Sequence, residues 1–312
     1  MNRTLRTFTF SLISAVTAGV LLIPVNADAS DPLGKLDQVL LQSLQAGTPV
    51  SQNVIIRALP GQRASVRDQL KALGDVVNSE YPTIEALAAQ IHTADLSSLA
   101  AASAVLSIST NATVLSLVAP ASSGATAAVL RATQGLTSTS PTGKGIGVAI
   151  IDSGIAPSKD FGSRIVAFYD FLKGGSLASA YDDFGSGTHV AGLIGSGGAL
   201  GSQYQGVAPN VRIVAMKVLG SQGSGRTSEV ISAITFATAN KQLLGIDIIS
   251  LPLGHPIYES AATDPLVQAV EAAVRAGIVV VTSAGNLGLN PTTKQPGYAG
   301  VTCPGKIGRA HV

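Results

Sequence analysis

Gly147-Val148-Ala149-Ile150-Ile151-Asp152-Ser153-Gly154 is an apolar run of strand length that ends in a carboxylate and a turn. Apolar residues without alternation mark a strand covered on both faces, the usual condition of a parallel sheet. Four further runs repeat the pattern downstream: Ile165 to Phe171, Val211 to Leu219, Ile246 to Leu251, and Ile278 to Thr282. Helix-forming segments alternate with them. One of these, Asp264 to Arg275, has Asp264 placed as N-cap, Pro265 at the first helical position and Gly277 just beyond the end. Ile278-Val279-Val280-Val281 reads as a strand buried on both faces. From about residue 143 the expectation is therefore an α/β domain, a doubly wound parallel sheet covered by helices.

Upstream the rhythm differs. From Asn53 to about Val118 the pattern reads strand, helix, strand, helix, with Val54-Ile55-Ile56, a helix carrying Val66, Leu70 and Leu73 before Gly74, a strand from Asp75 to Tyr81, and an amphipathic segment through Leu96, Leu99, Ala102 and Leu106. This predicts a small α+β unit over 53–118. The stretch 119–142, rich in Ala, Ser, Thr and Gly, reads as a linker. Residues 1–29 carry Arg3 and Arg6, an apolar run and Ala27-Asp28-Ala29, which reads as a secretory signal cut after Ala29. Its apolar run is interrupted by Thr9, Ser11, Ser14, Thr17 and Pro24, so a stable membrane anchor is not expected.

Composition narrows the functional classes. Of 312 residues only 12% are charged, and 20 Lys and Arg nearly balance 18 Asp and Glu, so no basic face for nucleic acid is present. A single cysteine, Cys303, excludes both an internal disulfide framework and a multi-cysteine zinc site.

Ligands of open parallel sheets bind beyond the carboxyl ends of the strands. Asp152 stands at such an end, His189 lies in Gly185-Ser186-Gly187-Thr188-His189-Val190-Ala191-Gly192 at a helix entry, and Asn286 follows Thr282-Ser283-Ala284-Gly285. Singly, each reads as a turn, cap or structural residue. Together they offer an orienting carboxylate, a base and an oxyanion donor, most of an acyl-transfer site without its nucleophile.

Ile150-Ile151-Asp152-Ser153-Gly154-Ile155, Gly187-Thr188-His189-Val190-Ala191-Gly192, Gly206-Val207-Ala208-Pro209 and Ser283-Ala284-Gly285-Asn286 occur in an order that resembles the subtilisin-like serine endopeptidases. The resemblance covers about 143–306. It implies that the sheet is subtilisin-like and that 53–118 is a ferredoxin-like propeptide serving as intramolecular inhibitor and chaperone. It makes Asp152 and His189 relay residues, with Asn286 at the oxyanion hole. It also implies a polypeptide substrate bound through Leu219, Gly220, Gly223 and Gly225 on one side and Leu251, Leu253 and Gly254 on the other. Cofactors are not implied, beyond the calcium that relatives often bind, for which no ligand cluster marks a site.

Departures from the pattern shape the expectation for activity. Ser186 stands where many relatives carry a second histidine, a difference that touches no essential role in this reading. Pro252 replaces a serine in the substrate-pairing segment and has no N–H to donate. The family's G-T-S-x-A-x-P motif does not occur, so the nucleophilic serine is absent and the chain is expected to be inactive as it stands, a subtilisin-like sheet left incomplete. Residues 307–312 leave the family pattern and read as a non-native tail, which sets His311 aside as a base. The full protein is expected to be a secreted zymogen. One rival reading is a non-catalytic, protease-like binding or inhibitor protein; another, a nucleotide binder at Gly220–Thr227, where Gly220-Ser221-Gln222-Gly223-Ser224-Gly225-Arg226-Thr227 approximates a phosphate loop, is opposed by Arg226 in place of lysine, by the lack of an acidic metal ligand after an apolar strand and by the secretory signal.

Overall fold

A computed structural model describes residues 31–117, 127–285 and 300–307, all but the first of them in the compact unit Pro32–Val312. After helix α1 (Gln38–Ala46), the first layer comprises strand β1 (Ser51–Ala58), helix α2 (Arg63–Leu73), strands β2 (Val76–Tyr81) and β3 (Ala86–His92), helix α3 (Leu96–Ala101) and strand β4 (Val105–Thr110). The strands form an antiparallel sheet in the order β2-β3-β1-β4. That is the order of a split β-α-β-β-α-β unit. Helix α2 stops where expected, because Gly74 adopts φ +82 and its N–H returns to Leu70 and Lys71.

Two expectations for this layer fail. Helix α3 ends at Ala101, and Leu106, assigned to its apolar stripe, lies half-exposed in β4. Strand β3 was missed because Ala86-Leu87-Ala88-Ala89 favours helix locally. Tertiary packing overrides that preference. Val54, Ile56, Leu87, Ala89 and Ile91 face α2 and α3, whereas Ile55, Ala86 and Ala88 face the second layer, so the sheet is buried on both sides and small residues fit.

The second layer follows strand β5 (Thr113–Ser116) and helix α4 (Ala127–Thr133), which interrupts the segment read as a linker. It contains β6 (Gly147–Asp152), β7 (Ile165–Asp170), β8 (Ser176–Leu177), α5 (Ser186–Gly195), β9 (Arg212–Lys217), β10 (Ser224–Arg226), α6 (Thr227–Ala239), α7 (Lys241–Leu244), β11 (Ile248–Leu251), β12 (Leu253–Gly254), α8 (Pro265–Arg275) and β13 (Val279–Thr282). The main sheet runs β13-β11-β6-β9-β7-β8, parallel throughout except for the short β8. This is the expected α/β layer, with β6 near its centre and every residue of β6 buried.

Strand β13 departs from expectation. Among the described residues it is an edge strand, and Val279 and Val281 are 61% and 56% exposed. Helix α8 is capped as read: the Asp264 carboxylate accepts from the N–H groups of Leu266 and Val267. The two layers join where α6 and α8 meet the free face of the small sheet, in one apolar cluster that holds Ile55, Tyr81 and Ala88 with Ile231, Ile234, Leu266 and Val270. Asn111 seals the seam by accepting from the Ser228 N–H at 2.9 Å and donating to the Ser228 hydroxyl at 2.9 Å. No helix among the described residues is long and apolar enough to cross a membrane. The segment read as a secretory signal lies outside the described residues.

Candidate active site

Strand β6 delivers Asp152 into a fully buried corner. Its carboxylate accepts from the Ser153 N–H at 2.7 Å and from the Ser186 hydroxyl at 3.0 Å. Burial pushes the Asp152 carboxyl up to about 7, against the pull of those two hydrogen bonds. Helix α5 begins at this corner because backbone meets backbone closely there. A Cβ on Gly187 would stand 2.0 Å from the Gly154 carbonyl oxygen, so only glycine lets the helix start so near the β6 turn.

Two residues not singled out by sequence organise the corner. Asp182 accepts from the Ser153 hydroxyl (2.8 Å), the Gly185 N–H (2.7 Å) and the Thr188 N–H and hydroxyl (2.9 and 2.6 Å), which ties the β6 turn to the start of α5. Burial alone would raise its carboxyl, but these donors hold it below the ordinary range. The ammonium of Lys217, 1% exposed, donates to the carbonyls of Ser153 (2.6 Å) and Leu219 (2.7 Å) and to Asp183 (2.6 Å). It thereby joins the β6 turn, the segment after β9 and the loop before α5. A lysine closing the apolar strand Ile213-Val214-Ala215-Met216-Lys217 was the available signal.

The structure does not pair Asp152 with His189. His189 lies exposed on α5, three residues beyond Ser186, and its side chain makes no hydrogen bond among the described residues. The first residue of the helix, Ser186, is the one presented to the carboxylate. Ser186, which the sequence left without a role, is therefore the relevant position, because the close start of α5 turns its first side chain into the corner. Asn286 lies outside the described residues.

Alongside this corner, β5 is inserted between β10 and β12 as the middle strand of an antiparallel sheet. Leu115 and Val114 face Ser224 and Gly225, while Ser116 and Leu115 face Leu253 and Gly254. The Ser116 N–H donates to the Gly223 carbonyl at 2.9 Å and the Leu117 N–H to the Pro252 carbonyl at 3.1 Å. Pro252 thus takes part through its oxygen, and its missing N–H costs nothing here. Val114 is fully buried in the cluster that contains Leu219 and Leu253. Gly225 must lack a side chain, since a Cβ would stand 2.1 Å from the Val218 carbonyl oxygen. The Ser116 hydroxyl reaches the Ser186 hydroxyl at 2.8 Å, so β5 runs directly past the Asp152 corner.

Of the seven cleft residues expected from sequence, Gly223, Gly225, Leu253 and Gly254 meet β5. Leu219 and Leu251 are core residues behind it, and Gly220 closes the turn by donating to the Ser224 carbonyl at 2.9 Å. The same contacts remove the phosphate-loop reading. In Gly220–Thr227 the N–H of Gly223 donates to Gly220, that of Arg226 to Glu229 and that of Thr227 to Ala112, so these amides do not converge on an anion.

His255, Asp264 and Cys303 are buried with ligand atoms within 4.8 Å of one another. Their capacity is already taken. Asp264 caps α8 with one oxygen and accepts from Lys306 (2.7 Å) and Cys303 (3.1 Å) with the other, while burial raises the Cys303 thiol well above its ordinary value. The Lys306 ammonium supplies the positive charge that a metal ion would bring. A cavity of about 450 Å³ lined by Asn53, Tyr81, Asn111, Phe171 and Glu229 lies at the seam between the layers, away from Asp152.

Residues 143–309 match the family model described as the subtilase family. The chain is similar to serine protease AprX of Bacillus subtilis, 42% identical over 158 residues, covering 49% of this chain and 35% of that protein. It is similar in the same degree to subtilisin DY of Bacillus licheniformis, 42% over 158 residues, covering 50% of this chain and 53% of the relative. The chain thus spans about half or less of the length of these curated relatives. Among solved structures, fervidolysin from Fervidobacterium pennivorans aligns with a TM-score of 0.59 at 21% identity over 76% of this chain and 40% of its own, a likeness of fold. With more than half of its residues in one family match, and with a parallel sheet that carries Asp152 at a central strand tip, the chain belongs to the subtilase family of serine proteases.

Proposed function

We propose that this chain is the pro-segment and cleft-bearing portion of a secreted serine endopeptidase that acts on polypeptides bound as extended strands. Calcium, often bound by relatives, has no site assigned in this reading. The reading rests on one observation: β5 is paired on both edges, by β10 and by β12, beside the Asp152 corner. Backbone pairing on two edges gives affinity with little demand on sequence, and the burial of alternate side chains adds preference, here for an aliphatic residue in the place of Val114. In the intact chain the small α+β unit delivers β5 into the cleft and acts as an internal inhibitor. The chemistry of the family is peptide-bond hydrolysis, and to it this chain contributes the carboxylate of Asp152 and, in this reading, the oxyanion-hole donor Asn286.

Displacement tests this reading. A labelled peptide copying Ala112–Leu117 is added to the secreted form, residues 30–312, and to the same form carrying Val114→Asp. Burying a charge without a partner should expel β5, so the variant should bind the peptide and the parent should not. Equal binding to both, or failure of both to bind while circular dichroism reports a folded variant, counts against the cleft. Should the variant not fold, amide exchange in the parent decides: the Ser116 and Leu117 N–H groups must be protected.

A further inference from the structure

Outside the cleft, the small α+β unit brings together three side chains that have no part in the site described above. Asp75 lies between α2 and β2, His92 closes β3, and Asp95 stands in the short turn that leads into α3. The Nδ1 atom of His92 is 2.9 Å from Asp75 Oδ1 and 3.5 Å from Asp95 Oδ2. Ligand atoms of all three residues lie within 4.8 Å of one another.

Asp75 is the informative member of the group. Its side chain is fully buried, and Oδ1 accepts from the His92 N–H at 3.0 Å. Oδ2 is buried as well and has no hydrogen-bond partner among the described residues. A buried carboxylate oxygen left unpaired is costly, and a cation relieves that cost. No lysine or arginine among the described residues pairs with Asp75 or Asp95, and the imidazole of His92 is their common neighbour. The other cluster of this kind, His255, Asp264 and Cys303, differs in this respect, because Lys306 already brings it a positive charge.

We propose that Asp75, His92 and Asp95 bind one divalent transition-metal ion of the zinc class, which ties the turn after α2 and the approach to α3 to the end of β3. Zinc bonds to imidazole nitrogen and carboxylate oxygen are about 2.0–2.2 Å long, which sets the ligand atoms about 3.4 Å apart around a tetrahedral ion. The spacings of 2.9 and 3.5 Å bracket that value. Asp75 keeps the His92 N–H on Oδ1 and offers Oδ2 to the ion. The ion takes the place of the hydrogen between the ring and Asp75, the neutral imidazole carries its hydrogen on Nε2, and water fills the fourth position. An imidazole ligand selects against calcium and magnesium, which prefer oxygen throughout. The site is structural: it binds the folded chain and so stabilises it. The proposal goes beyond the strand-binding reading and does not depend on it, since none of the three residues belongs to β5, β10 or β12.

Zinc chloride alone is the probe. Residues 30–312 are titrated by calorimetry while long-range proton–nitrogen NMR follows the imidazole rings. The expected result is one ion per chain, with the Nδ1 resonance of His92 shifted and the rings of His189 and His255 unmoved. Loss of a direct ligand in His92→Ala or Asp95→Asn should weaken binding about tenfold or more. Calcium chloride at the same concentration should leave the His92 ring where it is. The proposal is overturned if the parent binds no zinc, if His92→Ala binds it undiminished, if His255 shifts in place of His92, or if calcium moves the His92 ring as zinc does. Should His92→Ala not fold, Asp95→Asn decides by the same titration, since the Asp95 carboxylate is partly exposed. Peptide held or not held in the cleft alters none of these readings, so failure of the ion site and failure of the cleft are separable.

Discussion

The two sides of one cleft have fared differently. On the strand-holding side, Pro252 stands in place of a serine and the pairing survives, because the position contributes a carbonyl that every residue possesses. On the Asp152 side, Ser186 occupies the position facing the carboxylate, and what that corner offers depends on the side chain there. Binding built from backbone tolerates substitution, and proton transfer does not. The contrast separates the backbone pairing of β5 from the side-chain contacts of the Asp152 corner.

The comparison can be broken most forcefully on the binding side. Val114→Asp should release β5 and lower stability by roughly the 1.5–3 kcal/mol of the lost apolar burial or more, read as a fall in the urea midpoint. A midpoint within error of the parent would show that β5 is not anchored by its buried side chain. Next in size is Lys217→Met. It leaves the Ser153 and Leu219 carbonyls without their donor, and a cost of about 1–3 kcal/mol is expected from such unsatisfied buried groups. Its distinguishing sign is faster amide exchange in the turn after β6 and in the loop before α5 together, and exchange confined to one of them would contradict the proposed tie.

A smaller effect sharpens the other side. The Asp152 carboxyl is raised to about 7 by burial, above its unfolded value, so between those values the folded protein holds the additional proton. Stability is then greatest below the unfolded value and declines as pH rises through about 7. Glu259, also raised to about 7 by burial, adds to the decline with the same sign. Asp152→Asn should flatten the profile between about pH 4 and 7 and leave the Glu259 part. A thermal-shift series in which the variant keeps the parent's full slope would assign the dependence elsewhere. The smallest effect belongs to His189→Ala, for which no change in melting temperature or peptide capture is expected. A loss of either would restore His189 to the site. Finally, residues 30–312 should not hydrolyse casein, and hydrolysis sensitive to a serine-reactive inhibitor would refute the expected inactivity.

Much of this architecture was legible locally. The five apolar runs of the main sheet have few alternative conformations open to them, and Asp264, Pro265 and Gly277 punctuate α8 by backbone rules that act within a few residues. Strand β3 was not legible, because alanine favours helix until two layers close on it. The exposure of Val279 and Val281 was not legible either, since an apolar strand has the same sequence at the edge of a sheet as in its middle. The site divides in the same way. Asp152 could be located from the strand that precedes it, whereas its partner could not, because His189 and Ser186 differ by less than one helical turn and composition favours the imidazole.

The sequence by itself determined the parallel sheet, the family, the glycine-rich cleft edge and the carboxylate at the tip of β6, all of which follow from periodicity, turn chemistry and short motifs. Tertiary structure alone decided that β5 lies between β10 and β12 and that Ser186, rather than His189, meets Asp152. Those are contacts between segments tens of residues apart, and they depend on a helix that starts where one glycine lets two backbones touch.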